Sequence, residues 1–169
     1  SGWQLPIPVI KTSAGWQFDI KEGAEEILTR EIGRNELAAI EALHAYVDAQ
    51  QSYFAMNQKY AQKIVSSKGK KDGLYWPASP GEAPSPLGPA FSPKEPGTGY
   101  HGYRFRILPE SNGFAMVAWP VSYGQTGVMS FVINQDDRVY QSDLGSDSEQ
   151  KARALAAYSP DKTWQPVAP

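Results

Sequence analysis

The chain has 169 residues, and its sixteen basic against eighteen acidic side chains leave a formal net charge of -2, so no global field draws phosphate backbones and nucleic acid is not an expected partner. The absence of cysteine removes disulfides, thiolate zinc sites and thiol nucleophiles together. No window approaches the roughly 18 apolar residues of a membrane helix, while 41% hydrophobic against 20% charged residues implies a packed core.

The segment Trp3-Gln4-Leu5-Pro6-Ile7-Pro8-Val9-Ile10 alternates imperfectly, and its prolines remove ladder donors, which suits an edge strand. After a turn at Ser13-Ala14-Gly15, Trp16, Phe18 and Ile20 share one face at period two, so residues 3–20 are expected to form a β-hairpin. A two-stranded ribbon is marginal in water, so this one must rest on a helix or join a larger sheet. Helical spacing runs from Glu22 to Asn57, and Gly33 is expected to divide a short helix near residues 24–32 from a long one capped by Asn35. In the long helix Leu37, Ile40, Leu43, Val47 and Phe54 form an apolar stripe, widened by Tyr46, Tyr53 and Met56. Ala38, Ala42, Ala45 and Ala49 allow close approach of neighbours, and Glu36, Glu41, Asp48 and Gln51 mark the wet side.

Residues 66–99 carry seven prolines and read as a long surface excursion, pinned by the apolar island Leu74-Tyr75-Trp76-Pro77. Four strands follow, over residues 103–108, 114–119, 128–134 and 139–144, with Asn112-Gly113 and Asp136-Asp137 supplying turn chemistry. Connections this short favour an antiparallel meander. A last helix is expected from Ser146, with Ser146 and Glu149 as a capping box, to about Tyr158 before Pro160. The fold class is therefore α+β, a long helix packed on a four-stranded antiparallel meander and preceded by a hairpin. Residues 1–33 and 34–169 form its two organisational parts.

Catalytic and metal signatures are missing from the residue pattern, and no cofactor motif is present. The histidines, His44 and His101, make no i,i+4 pair for a transition metal, and no G-x-S-x-G turn supports a serine nucleophile. Glu25-Glu26 and Asp136-Asp137 read as solvated surface rather than glycosidase pairs, and capping explains Asp143, Asp147 and Glu149 more simply than calcium does. Gly97-Thr98-Gly99-Tyr100 precedes a strand where a phosphate cradle would precede a helix. What remains is an aromatic and cationic group, Tyr75, Trp76, His101, Tyr103, Arg104, Trp119 and Tyr123, expected near one sheet end and its loop. Rigid rings beside arginine can stack sugars or grip a peptide, and the same rings can equally fill a core.

The segments Ile32-Gly33-Arg34-Asn35-Glu36, Ala45-Tyr46-Val47-Asp48-Ala49-Gln50, Asp72-Gly73-Leu74-Tyr75-Trp76-Pro77, Ser85-Pro86-Leu87-Gly88-Pro89, Tyr100-His101-Gly102-Tyr103-Arg104-Phe105, Ala118-Trp119-Pro120, Tyr123-Gly124 and Gly127-Val128-Met129 together resemble the bacterial envelope proteins grouped as domain of unknown function 2950. The resemblance implies an exported, periplasmic protein made with a signal peptide, and residues 1–33 as the remnant of a longer amino-terminal part. It also implies that the chain is shorter than the family pattern between Leu108 and Gly113. The helix-then-meander order looks like that of pilin and pseudopilin globular domains, an analogy of architecture alone. The expected function is a non-enzymatic envelope module that binds another protein or a glycan. Alternatives are an envelope hydrolase with His101 as base, assisted by Asp72 or a loop serine, and a structural subunit of a pilus-like or secretion assembly with an exposed apolar strip on its helix.

Overall fold

An aspartate opens the longest element. Asp19 holds extended backbone and accepts the Glu22 amide on its side chain at 3.1 Å, the geometry of an N-cap. From that cap α1 (Ile20–Asn57) runs unbroken for 38 residues, about 57 Å at 1.5 Å per residue. The computed structural model describes residues 5–91, 99–111 and 113–167. Trp3 and Gln4 of the expected first strand, residues 92–98 of the proline-rich loop and Asn112 of the expected turn lie outside the described residues.

Gly33 therefore does not divide the helix, and Asn35 does not cap one. An interior glycine costs only about 1 kcal/mol relative to alanine, and the residues on either side of Gly33 are mostly adequate helix formers. Asn35 instead donates from its amide to the Thr126 carbonyl at 3.1 Å. The helix stops where Gln58 takes the left-handed conformation and returns its N–H to the Phe54 carbonyl.

Ahead of α1, β1 (Val9–Thr12) and β2 (Gly15–Phe18) pair in the expected hairpin. It rests on the helix: Ile7 lies so close to Gly23 that any side chain there would press on both of its branches, and the Asp19 N–H donates to the Pro8 carbonyl at 2.8 Å. Val9, Trp16 and Phe18 share the hairpin's outer face, with Trp16 71% exposed.

A second, separate sheet of five strands follows chain order: β3 (Tyr103–Leu108), β4 (Ala115–Pro120), β5 (Met129–Asn134), β6 (Tyr140–Asp143) and β7 (Gln165–Pro166), all antiparallel. The first four are the expected meander. The fifth was not expected, because two residues carry no periodicity; Val167 fastens it by donating to the Val139 carbonyl at 3.0 Å. Every residue of β4 is buried because both faces are covered. On one face Met116, Ala118, Phe131 and Ile133 pack in the core that holds Leu43, Tyr46 and Val47 of α1. On the other, Val117, Trp119 and Val132 pack with Ala152 of α2 (Ser148–Ala154) and with Trp164.

The helix lies on the sheet, as its periodicity requires, but in a shifted phase. Its inward side is Ala39, Ala42, Leu43, Tyr46, Val47, Ala49, Gln50 and Tyr53, whereas Leu37 is 63% exposed and Phe54 and Met56 also face outward. Alanines at the contact let the helix backbone approach the strands, and Phe54 stacks on Tyr60 at 4.8 Å instead. Glu36 is not on the wet side: its carboxylate accepts the Val128 and Met129 amides at 2.9 and 3.0 Å, docking α1 against the start of β5. Nor does the expected capping box form at α2. Asp147 holds the N-cap position without a side-chain bond, and Glu149 is committed to arginines.

The proline-rich loop is pinned where its apolar island predicts. Leu74 and Trp76 are buried in the α1-side core, and Tyr75 and Ser66 exchange backbone bonds with the 64–75 neighbourhood, Tyr75 N–H to Ile64 and Ser66 N–H to Tyr75, both at 2.8 Å. Beside them, the Lys63 ammonium at 2.8 Å and the Ser67 amide at 2.7 Å hold the Asp72 carboxyl far below the usual carboxylate range.

Tyrosines set an alkaline limit to this fold. Burial pushes the Tyr46 and Tyr103 phenols well above their ordinary value, with the Glu36 carboxylate adding to the effect at Tyr103, and burial followed by Tyr140, Asp136 and Glu110 pushes Tyr158 up to about 12. A raised pKa means that the folded state holds the neutral phenol. The corresponding stability is complete below the unfolded tyrosine value of 10.0 and is lost as pH rises from there through the folded values. Urea midpoints should therefore be flat across neutral pH and fall above about pH 10, with the last tyrosinate absorbance appearing together with unfolding. If all nine tyrosines ionise near 10.0 while the chain stays folded, this account is wrong.

Candidate functional site

The hairpin register places Arg104 opposite Trp119 and Arg106 opposite Val117, all on the sheet face turned away from α1. Helix α2 covers part of that face and presents Glu149 and Arg153, one turn apart. These side chains lock together. Arg104 Nη1 donates to Glu149 Oε2 at 2.7 Å, and Arg153 donates to Glu149 Oε1 from Nε and lies 3.0 Å from it at Nη2. The Arg153 hydrogen bond, and then the Arg104 charge, hold the Glu149 carboxyl below its ordinary value. Arg106 turns its Nη2 to the Ala152 and Leu155 carbonyls at 2.7 and 2.8 Å, satisfying acceptors that the end of α2 leaves open. The Arg153 guanidinium lies 5.6 Å from the centre of the Trp119 ring.

Opposite this array stand Ile64, Val65, Ala90, Gly99 and Tyr100, and between the two walls is a cleft of about 460 Å³, a volume suited to a small ligand or a chain end. A tight turn shapes its corner. Tyr100 and Tyr103 exchange backbone bonds at 2.8 and 3.0 Å around His101 and Gly102, both at positive φ, as a two-residue hairpin loop of the primed type requires. Gly99 has to be glycine, since its φ is +69° and a Cβ there would run into the Tyr103 carbonyl.

Of the seven residues expected to form a surface, Arg104 and Trp119 meet in this cleft, and Tyr103 borders it while its hydroxyl donates to the Met129 carbonyl at 2.8 Å. His101 occupies the adjoining turn, exposed, with its ring edge-on to Tyr100 at 4.4 Å. Tyr75 bridges to Val65, a cleft residue. The remaining two lie apart. Trp76 is in the α1-side core with Lys71 at 5.6 Å from its ring, and Tyr123 sits in the β4–β5 turn, donating to Asp143 at 3.1 Å. Sequence reasoning missed Arg106, Glu149, Arg153 and Tyr100 as site residues. The alternation of Arg104 and Arg106 in one strand was a usable signal, whereas the i,i+4 pair Glu149 and Arg153 looks like any solvated helix pair.

Chemically, the cleft offers cations fixed around the Glu149 carboxylate, with aromatic walls. Two buried donors, Trp119 Nε1 and Arg106 Nε, have no hydrogen-bond partner among the described residues. His101 makes no hydrogen bond there either, and Asp72 is taken up by Lys63 and Ser67. Among the described residues there is no group of His, Asp or Glu side chains able to hold a metal ion, and no helix is long and apolar enough to cross a membrane.

The family model described as "Protein of unknown function (DUF2950)" matches residues 1–112 and 109–167. The two matched stretches meet where the chain is expected to be shorter than the family pattern. No curated protein and no solved structure matches.

Proposed function

Because the chain belongs to the DUF2950 family, whose description assigns no activity, we propose a function from the cleft itself: a non-enzymatic binding module of the bacterial envelope that engages another envelope protein or a glycan. The observation that carries the reading is the Arg104–Glu149–Arg153 array at the mouth of a 460 Å³ cleft. Guanidinium groups held by a planar carboxylate are pre-oriented for planar anionic or polar partners, and the neighbouring rings supply apolar contact. A hydrolase reading draws less support, because a base needs hydrogen-bond reach to a nucleophile and an orienting partner, and His101 makes neither bond among the described residues.

The test is a peptide and glycan array probed with the purified protein and with Arg104→Ala and Arg153→Ala. The Arg104 and Arg153 side chains are 26% and 58% exposed, and thermal melts of both variants establish that they remain folded. Each change should weaken the captured interaction by about tenfold, the equivalent of one charge-assisted hydrogen bond. Unaltered binding by both variants would remove the cleft as the recognition surface.

A further inference from the structure

We propose that the cleft recognises an organic carboxylate with an apolar body, either a free small acid or the carboxylate at the end of a peptide, and that Glu149 occupies the anion position until such a ligand displaces it. This rests on the reading of the cleft as a recognition surface. The geometry supplies the reason. Glu149 is not the natural counter-ion of a single arginine: its two oxygens are divided between Arg104, from the strand, and Arg153, from the helix, which is how a bound carboxylate would be held. Half of the Glu149 side chain is exposed, and a pair of that kind contributes little to stability, so an incoming carboxylate can replace it at small cost.

The walls decide what the rest of the ligand is. Ile64, Val65, Ala90 and Phe105 are apolar, and beside them the neutral polar side chains are Tyr100 and Tyr103, the latter already bonded to Met129. Against this wall, away from the arginine array, the described residues offer a sugar's hydroxyl groups few partners, and unpaired buried hydroxyls are unfavourable. An aromatic or branched aliphatic body loses nothing. Beneath the array, Trp119 is only 2% exposed, its Nε1 has no partner among the described residues, and Arg153 covers its ring. When Glu149 swings away, Arg104 and Arg153 stay to hold the incoming carboxylate, and the indole beneath them offers it a further hydrogen-bond donor.

Titration calorimetry on the whole chain tests this with matched probes: phenylacetate against phenylacetamide, a short peptide ending in leucine with a free carboxylate against its C-terminal amide, and glucuronate as a polar-bodied acid. Phenylacetate and the free-acid peptide should bind, and Glu149→Gln should bind them about tenfold more tightly than wild type because the internal competitor is gone. Glu149→Ala should do the same, and thermal melts of both variants establish that they are folded. Tighter binding of the peptide assigns the chain end, and tighter binding of phenylacetate assigns the free acid; either outcome supports the proposal. Amides that match acids, glucuronate that matches phenylacetate, no tightening in either Glu149 variant, or no carboxylate binding at all would each overturn it. The two readings fail separately. Array binding that still depends on Arg104 keeps the binding module while the carboxylate assignment falls, and array binding indifferent to Arg104 and Arg153 removes both.

Discussion

Replacing Gly127 with alanine is expected to cost about 3 kcal/mol or more, a large part of the 5–15 kcal/mol that typically holds a domain folded. The residue needs no unusual backbone angle; it needs empty space. Tyr103 lies across it, and an ideal Cβ on residue 127 would fall within the phenol ring and its hydroxyl. Neither party can yield. The ring is fully buried against Phe131 at 5.8 Å, and its hydroxyl is tied to the Met129 carbonyl. The backbone is tied as well, by the Gly124 N–H on the Gly127 carbonyl at 2.8 Å and by Glu36 on the next two amides. Removing the hydroxyl alone by Tyr103→Phe should not rescue the variant, because ring carbons also lie in the way. Gly33→Ala is the matched contrast: its Cβ meets nothing within 4 Å, and the helix should gain about 0.5–1 kcal/mol. Urea denaturation followed by circular dichroism measures all three. A Gly127→Ala protein with the wild-type midpoint would show that the close approach of Tyr103 is not real.

That close approach was invisible in the sequence, although much around it was legible. Turn chemistry at Asn112-Gly113 and Asp136-Asp137 located β3 to β6 within a residue or two, because strands joined by such short connections leave few solutions other than a meander. The island at Leu74 and Trp76 was readable as an anchor for the same reason that oil avoids water. Gly33 misled because glycine's penalty is about 1 kcal/mol per residue, whereas the cooperative helix on either side resists breaking. The stripe misled differently. Period 3.6 fixes which residues share a face, not which face is inward when alanines and tyrosines flank leucines, and the inward set proved to be the one that admits close backbone approach. As for the cleft, hairpin register brought Arg104 to Trp119, but its other half comes from α2, more than forty residues away in sequence, and no local pattern reports a contact of that range.

Gln50→Leu is expected to cost about 3 kcal/mol, from a polar residue that the apolar pattern gave no reason to place inside. Gln50 is fully buried, and its amide acts as a short piece of strand: Oε1 accepts the Ala61 N–H at 2.9 Å, and Nε2 donates to the Ala61 carbonyl at 2.8 Å and to the Tyr46 hydroxyl at 3.0 Å. Tyr46 passes the chain on, donating to the Ala115 carbonyl of β4 at 3.2 Å. Leucine fills the volume but strands the Ala61 N–H and carbonyl in a site only 2% exposed, and each orphaned buried group costs about 1–3 kcal/mol. Gln50→Glu separates hydrogen bonding from packing. An ionised carboxylate can still accept from Ala61 N–H but faces its carbonyl, so the folded chain prefers the protonated acid and raises its pKa; the variant should regain stability relative to wild type as pH falls, and lose it as pH rises above the ordinary value of about 4.3. Urea midpoints of wild type and both variants across that range decide it, and a Gln50→Leu protein as stable as wild type would refute the strand-like role. The consequence reaches the cleft, because Ala61 lies three residues before Ile64 and four before Val65. A chain no longer clamped at Ala61 leaves that wall free to drift, so loosened ligand binding should accompany the lost stability even though Gln50 touches no part of the site.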